Sequence, residues 1–223
     1  MDSRRAESFS DGVFAVAITI LVFNLLPIAD RTAGAGAGTV TLTAHHLGHY
    51  WASYLAYVVS FLTIGIMWLN HHQMLAQVSK VNRILLVLNL FLLMGIVAIP
   101  FPTALVADHL TGAGASGGQA TVAAVTYGLV MIAISIGFAT SWIYIATHQH
   151  ALGARPVRTR RFSTARFVSG NGGYVAGTLI ALIAPVTALI IFGLLAVYYL
   201  FEHLPDPSEE VGDSPPGQDA AAG

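Results

Sequence analysis

No cysteine occurs among the 223 residues, which excludes disulfides and thiolate-held metals and leaves the redox compartment undecided. Charge is scarce too. Asp, Glu, Lys and Arg make up only 9% of the chain, where a soluble domain carries about a quarter, so this sequence cannot cover a water-facing surface. The net charge of −1 gives no basic excess, and no nucleic-acid partner is expected. Paired carboxylates, a nucleophile with its base, a phosphate-binding loop and a nucleotide motif are all missing, which argues against an enzyme and against a cofactor.

What is abundant is apolar surface, 55% of residues. A membrane-spanning helix needs about 20 mostly apolar residues, and six stretches meet or approach that length. The expected fold is an all-α integral membrane protein with six transmembrane helices at about residues 6–26, 47–78, 82–106, 119–147, 164–183 and 185–201. Together they form one transmembrane unit, residues 1–204, followed by an acidic, Pro-rich tail over 205–223 whose composition predicts disorder. The first run has no small-residue cleavage site and is long enough to remain a span, so no cleavable signal peptide is expected. Pro27 ends it, Tyr50, Trp51 and Tyr54 suit an outer aromatic belt, and Pro100 and Pro102 stand near the exit of the third helix.

Orientation follows from the basic residues. Of ten Lys and Arg, only Arg31 lies away from three segments: the N-terminus (Arg4, Arg5), the connection between helices two and three (Lys80, Arg83), and that between four and five (Arg155, Arg158, Arg160, Arg161, Arg166). With six spans these segments share one side, and the positive-inside rule makes it cytoplasmic. Both termini are then cytoplasmic, in a multi-pass protein of the cell membrane.

Ionisable groups inside a span cost about 2.5–3.5 kcal/mol at the helix centre and call for a partner or a function. Asp11 lies six residues beyond Arg5, about 9 Å deeper at 1.5 Å per residue. Trp68, His71 and His72 fall near the inner boundary of the second helix, and Asn89 lies at similar depth on the third. A buried hydrogen-bonded network accounts for all of these, with Arg5 or a His as the expected partner of Asp11. Adjacent residues on a helix face different directions, so at most one of His71 and His72 joins a given site. A proton-coupled carrier or proton channel would instead use Asp11 and His71 as titrating groups, but the internal repeats or mid-membrane breaks normal for a carrier are not visible. His45, His46 and His49 fit an interfacial role, and no metal site is expected.

The segment Arg5-Ala-Glu-Ser-Phe9-Ser10-Asp11 fits the pattern Arg-x-x-x-Phe-Ser-Asp at the opening of an apolar helix. With Trp68-x-x-His71-His72, Asn89-Leu90 and Pro100-Phe-Pro102, it resembles the prokaryotic relatives of the lysosomal potassium channel called transmembrane protein 175, over roughly residues 4–106. That resemblance implies a homotetrameric potassium-permeable channel whose first helix lines a central pore. It implies that Arg5, Phe9, Ser10 and Asp11, with Trp68, His71, His72 and Asn89, hold the helices together. It further implies a hydrophobic constriction at Val16, Ile20 and Phe23 with Thr19 as a polar contact. Helix geometry agrees, because these three apolar residues fall within about 60° on one face, and Asp11 points about 140° away from Val16. Family members usually carry Ile or Leu where this chain has Val16 and Phe23, which bears on pore width. No Thr-Val-Gly-Tyr-Gly loop is present. Any preference for potassium would then come from partial dehydration at an apolar ring, and modest selectivity is expected. Gly173 and Gly177 fit close helix packing.

Overall fold

A computed structural model describes residues 3–25, 51–109, 118–153 and 172–202. The expected tail over 205–223, the basic linker from Arg155 to Arg161, Tyr50 and the His45, His46 and His49 group lie outside the described residues. All regular structure among the described residues is helical: α1 (Ser3–Ile20) running into a 3-10 segment (Leu21–Leu25), α2 (Trp51–Leu75), α3 (Arg83–Ala98), α4 (Pro100–His109), α5 (Gly118–Thr147), α6 (Gln149–Leu152), α7 (Gly172–Ala181) and α8 (Pro185–Glu202). Four spans are long and apolar enough to cross a membrane, Ser3–Leu25, Ser53–Leu75, Arg83–His109 and Gly118–Thr147. The apolar helices Gly172–Ala181 and Pro185–Tyr198 are shorter.

Two helices depart from the uniform α-helices expected of them. The first winds as an α-helix only to Ile20 and then tightens. The third divides at Ile99, between α3 and α4, and proline chemistry explains the division. Pro100 and Pro102 carry no N–H, so the carbonyls of Ile96 and Ala98 lose their helical donors. The Ile96 carbonyl accepts the Ile99 N–H instead, at 3.1 Å, and the Thr103 hydroxyl adds a 2.8 Å bond to the Ile99 carbonyl. The start of α3 is set by Asn82, whose side chain accepts the Leu85 N–H at 2.9 Å and satisfies one of the exposed first-turn donors.

Small residues let the helices approach. A Cβ on Gly95 would lie 2.8 Å from Ile134, and one on Gly177 2.6 Å from the Phe192 ring, so α3 meets α5 and α7 meets α8 at distances closed to larger side chains. Around these contacts α1 packs on α2 and α3, α4 on α2 and α5, and α8 on α5 and α2. The Ser79 and Lys80 N–H groups donate to the Leu152 carbonyl at 3.2 and 3.1 Å, tying the close of α6 to the α2–α3 connection. Gly153 ends α6 with φ +56°, in the left-handed region that favours glycine.

Candidate functional site

The first helix presents two different faces. Ser10, Phe14 and Ala17 are almost fully buried on the side of α1 that packs on α2 and α3, and Leu21 is buried in the 3-10 segment, which packs on α2 and α4. On the other side Val16 is 51% exposed and Phe23 59% exposed, with Thr19 exposed and Ile20 half-buried between them. Thr19 donates its hydroxyl to the Val16 carbonyl at 2.9 Å, which satisfies it within its own helix.

The 3-10 winding alters the relation of these residues. Continuous α-helix would set Phe23 about 60° behind Ile20 at 100° per residue. At about three residues per turn, positions i and i+3 eclipse. Phe23 therefore stands over Ile20, both about 40° round the helix from Val16.

The buried face is held by polar contacts in the first half of α1. Asn89 of α3 joins the other two helices: its Nδ2 donates to Ser10 Oγ of α1 at 3.0 Å, and its Oδ1 lies 2.7 Å from His71 Nε2 of α2. Ser10 in turn donates to the Ala6 carbonyl at 2.8 Å. With the amide so placed, His71 carries its proton on Nε2, and its buried Nδ1 has no partner among the described residues. Phe14 packs on the His71 ring at 5.3 Å between centroids.

Asp11 and His72 make separate pairs. Trp68 Nε1 donates to Asp11 Oδ1 at 2.8 Å, and His72 Nδ1 lies 2.8 Å from Glu7 Oε1. The expected partner for Asp11 was Arg5 or a His. Its hydrogen bond comes instead from the Trp68 indole, and among the described residues no hydrogen bond or ion pair joins Arg5 to it. Helix geometry explains this, because six residues rotate Arg5 about 240° from Asp11. Arg5 is exposed, and Phe9 is 55% exposed, so both motif side chains point away from these contacts.

A second polar cluster near the far end of α1 was not anticipated from the sequence. Asn24 Nδ2 donates to the Pro100 carbonyl at 3.0 Å, Ser60 and Thr103 share a 2.9 Å hydroxyl bond, and the Tyr127 hydroxyl meets Ser60 and Thr63. Polar residues inside apolar runs were the available signal. Only the break at Pro100 reveals which of them converge. No group of three or more metal-ligating side chains occurs among the described residues.

Long apolar helices tied together by a few buried polar side chains define a helical membrane protein. Within that class the chain belongs to the TMEM175 family. A family model described as the endosomal/lysosomal potassium channel TMEM175 matches residues 5–100. A potassium channel of Streptomyces collinus is 42% identical over 211 residues, 94% of this chain and 97% of that protein. The crystal structure of a lysosomal potassium-selective channel TMEM175 homolog from Chamaesiphon minutus superposes with a TM-score of 0.72 at 32% identity, covering 90% of this chain and 97% of that one. The endosomal/lysosomal proton channel TMEM175 of Gallus gallus is 36% identical over 103 residues, 45% of this chain and 20% of that protein. These relatives are named as ion channels, a family without enzymatic activity.

Proposed function

We propose that the chain is a potassium channel of the TMEM175 family, a leak-type pore with modest potassium selectivity in the cell membrane. Four copies, each with six transmembrane helices and cytoplasmic termini, enclose a central pathway lined by α1. Val16, Ile20 and Phe23 form the hydrophobic constriction, and Thr19 is its polar contact.

The observation that carries this reading is the apolar stripe on α1. Among the described residues that stripe has no covering helix, while the opposite face is sealed by Asn89 and His71, with the Trp68–Asp11 bond at its edge. A single six-helix subunit with one pore-lining helix cannot enclose a pathway, so several copies must bring their α1 stripes together. A narrow ring of apolar side chains passes a cation only after partial dehydration, and dewetting of that ring closes it. Selectivity on this basis is modest, because no fixed cage of carbonyl oxygens replaces the hydration shell. Of the motif residues, Ser10 and Asp11 serve as structural anchors, bonded to α3 and α2.

The carrier or proton-channel reading through Asp11 and His71 has less support. The two groups sit in separate hydrogen-bonded pairs, and no hydrogen bond between them exists among the described residues.

Flux into liposomes tests the proposal. Reconstituted protein should carry potassium down its gradient with no coupled ion, and light scattering should give a tetramer. Potassium flux that occurs only with a proton gradient, or a stable monomer, would contradict it.

A further inference from the structure

We infer that Asn24 is a positioning residue for the pore: its bond to the Pro100 carbonyl holds the end of α1 in 3-10 winding and so keeps Phe23 over Ile20 and off Thr19. This rests on the pore reading above and adds a residue outside the Arg-x-x-x-Phe-Ser-Asp motif and outside the constriction itself.

Taking Val16 as zero, Ile20 stands at about 40° and Thr19 at about −60° in α-helix. Continued α-helix would place Phe23 at about −20°, between Val16 and Thr19, and Asn24 at about 80°. Winding at about 120° per residue after Ile20 places Phe23 at about 40°, in line with Ile20, and Asn24 at about 160°. That last direction is also that of Phe14, a fully buried residue of the sealed face. The tightened turn therefore aims the Asn24 amide at the neighbouring helices, where the Pro100 carbonyl receives it at 3.0 Å. The 3-10 segment packs on α2 and α4 there, and α4 begins at Pro100 because of the helix break.

The bond and the winding depend on each other. In α-helical register Asn24 would turn about 80° from that direction, and its amide would have to find another acceptor inside an apolar segment. The same change would swing the Phe23 ring about 60° toward Thr19 and lower it, because the rise falls from about 2.0 to 1.5 Å per residue. Loss of the tie should thus cover the polar contact of the pore with an aromatic ring. The break in the third helix acquires a use: it fixes the carbonyl that sets the register of the first.

A double-mutant cycle on the full-length reconstituted channel tests this, with the potassium-over-sodium permeability ratio in planar bilayers as the readout. Asn24→Leu should lower that ratio about threefold, a change of about 0.65 kcal/mol, and should leave it unchanged in a Phe23→Ala background, where no ring remains to move. Asn24→Ser, polar but too short to reach Pro100, should reproduce the loss and keeps the test available if Leu prevents assembly. Thr63→Val, which removes a Tyr127 contact at the same end of the bundle, should leave the ratio at its wild-type value. An unchanged ratio in assembled Asn24→Leu and Asn24→Ser channels, or an equal loss with and without Phe23, would overturn the inference while leaving the pore assignment intact. A Phe23→Ala channel with wild-type conductance and ratio would instead remove Phe23 from the pore, and the inference with it.

Discussion

The two faces of α1 have the same helix and nearly the same depth in common, yet they are specified in different ways. On the sealed face each side chain has a partner within the chain: Ser10 meets Asn89, Asp11 meets Trp68, and Phe14 lies on the His71 ring. On the open face Val16, Thr19 and Phe23 are exposed, with no covering helix among the described residues. A hydrogen-bonded face tolerates few side chains because lipid offers no replacement partner. An apolar face constrains only size and shape, and what it does depends on the other copies that meet it. Substitutions on the first face should therefore act on folding and assembly, and those on the second on conduction.

The largest effect on the sealed face is expected at Asn89, which bonds to two helices. Asn89→Leu leaves the buried His71 Nε2–H without an acceptor and should cost about 3 kcal/mol. Thermal unfolding in detergent should show a marked fall in Tm and loss of the assembled form, and a variant with wild-type Tm would dissolve the distinction between the faces. Asp11 should come next. Asp11→Ala strands the Trp68 N–H and is expected to cost about 1–2 kcal/mol, whereas Asp11→Asn keeps an acceptor and should recover most of it. Equal losses in the two variants would mean that charge, not the hydrogen bond, is what α2 reads at this position.

Arg5→Ala should now fall well below Asp11→Ala, because no ion pair joins the two residues among those described. The smallest effect is expected for Glu7→Gln. Its partner His72 is half exposed, and exposed pairs contribute less than about 1 kcal/mol. Thermal melts at low and high salt would check this, since an exposed pair should weaken with salt. A loss comparable to that of Asp11→Ala would place the pair with the sealed face.

Much of this arrangement was legible in the chain, for reasons that differ between its parts. Apolar runs of spanning length fix where helices occur, because the bilayer demands about 20 such residues. Asp11, His71 and Asn89 stood out because each is expensive in that setting. Which of them pair was not legible. The indole of Trp68 is an interfacial side chain on composition alone, and only the packing of α1 on α2 brings its N–H to Asp11. The division of the third helix was foreshadowed by Pro100 and Pro102, although the meeting of the Pro100 carbonyl with Asn24 is a property of the folded backbone. The 3-10 segment left no mark in the sequence at all. Leu21 to Leu25 reads as ordinary apolar helix, and its winding depends on Asn24 meeting a carbonyl 76 residues away.

The central claim is that the open face of α1 lines a potassium pathway. Planar-bilayer recording of Ile20→Asn beside Ile18→Asn, at equal protein amounts, tests it most directly. The two positions lie about 160° apart on one helix, and Ile18 packs against the core. Ile20→Asn should raise the basal current and relax potassium preference by wetting the apolar ring, while Ile18→Asn should mainly damage folding and reduce the number of channels. A folded Ile20→Asn channel with unchanged conductance and selectivity would remove this face from the pore and contradict the account.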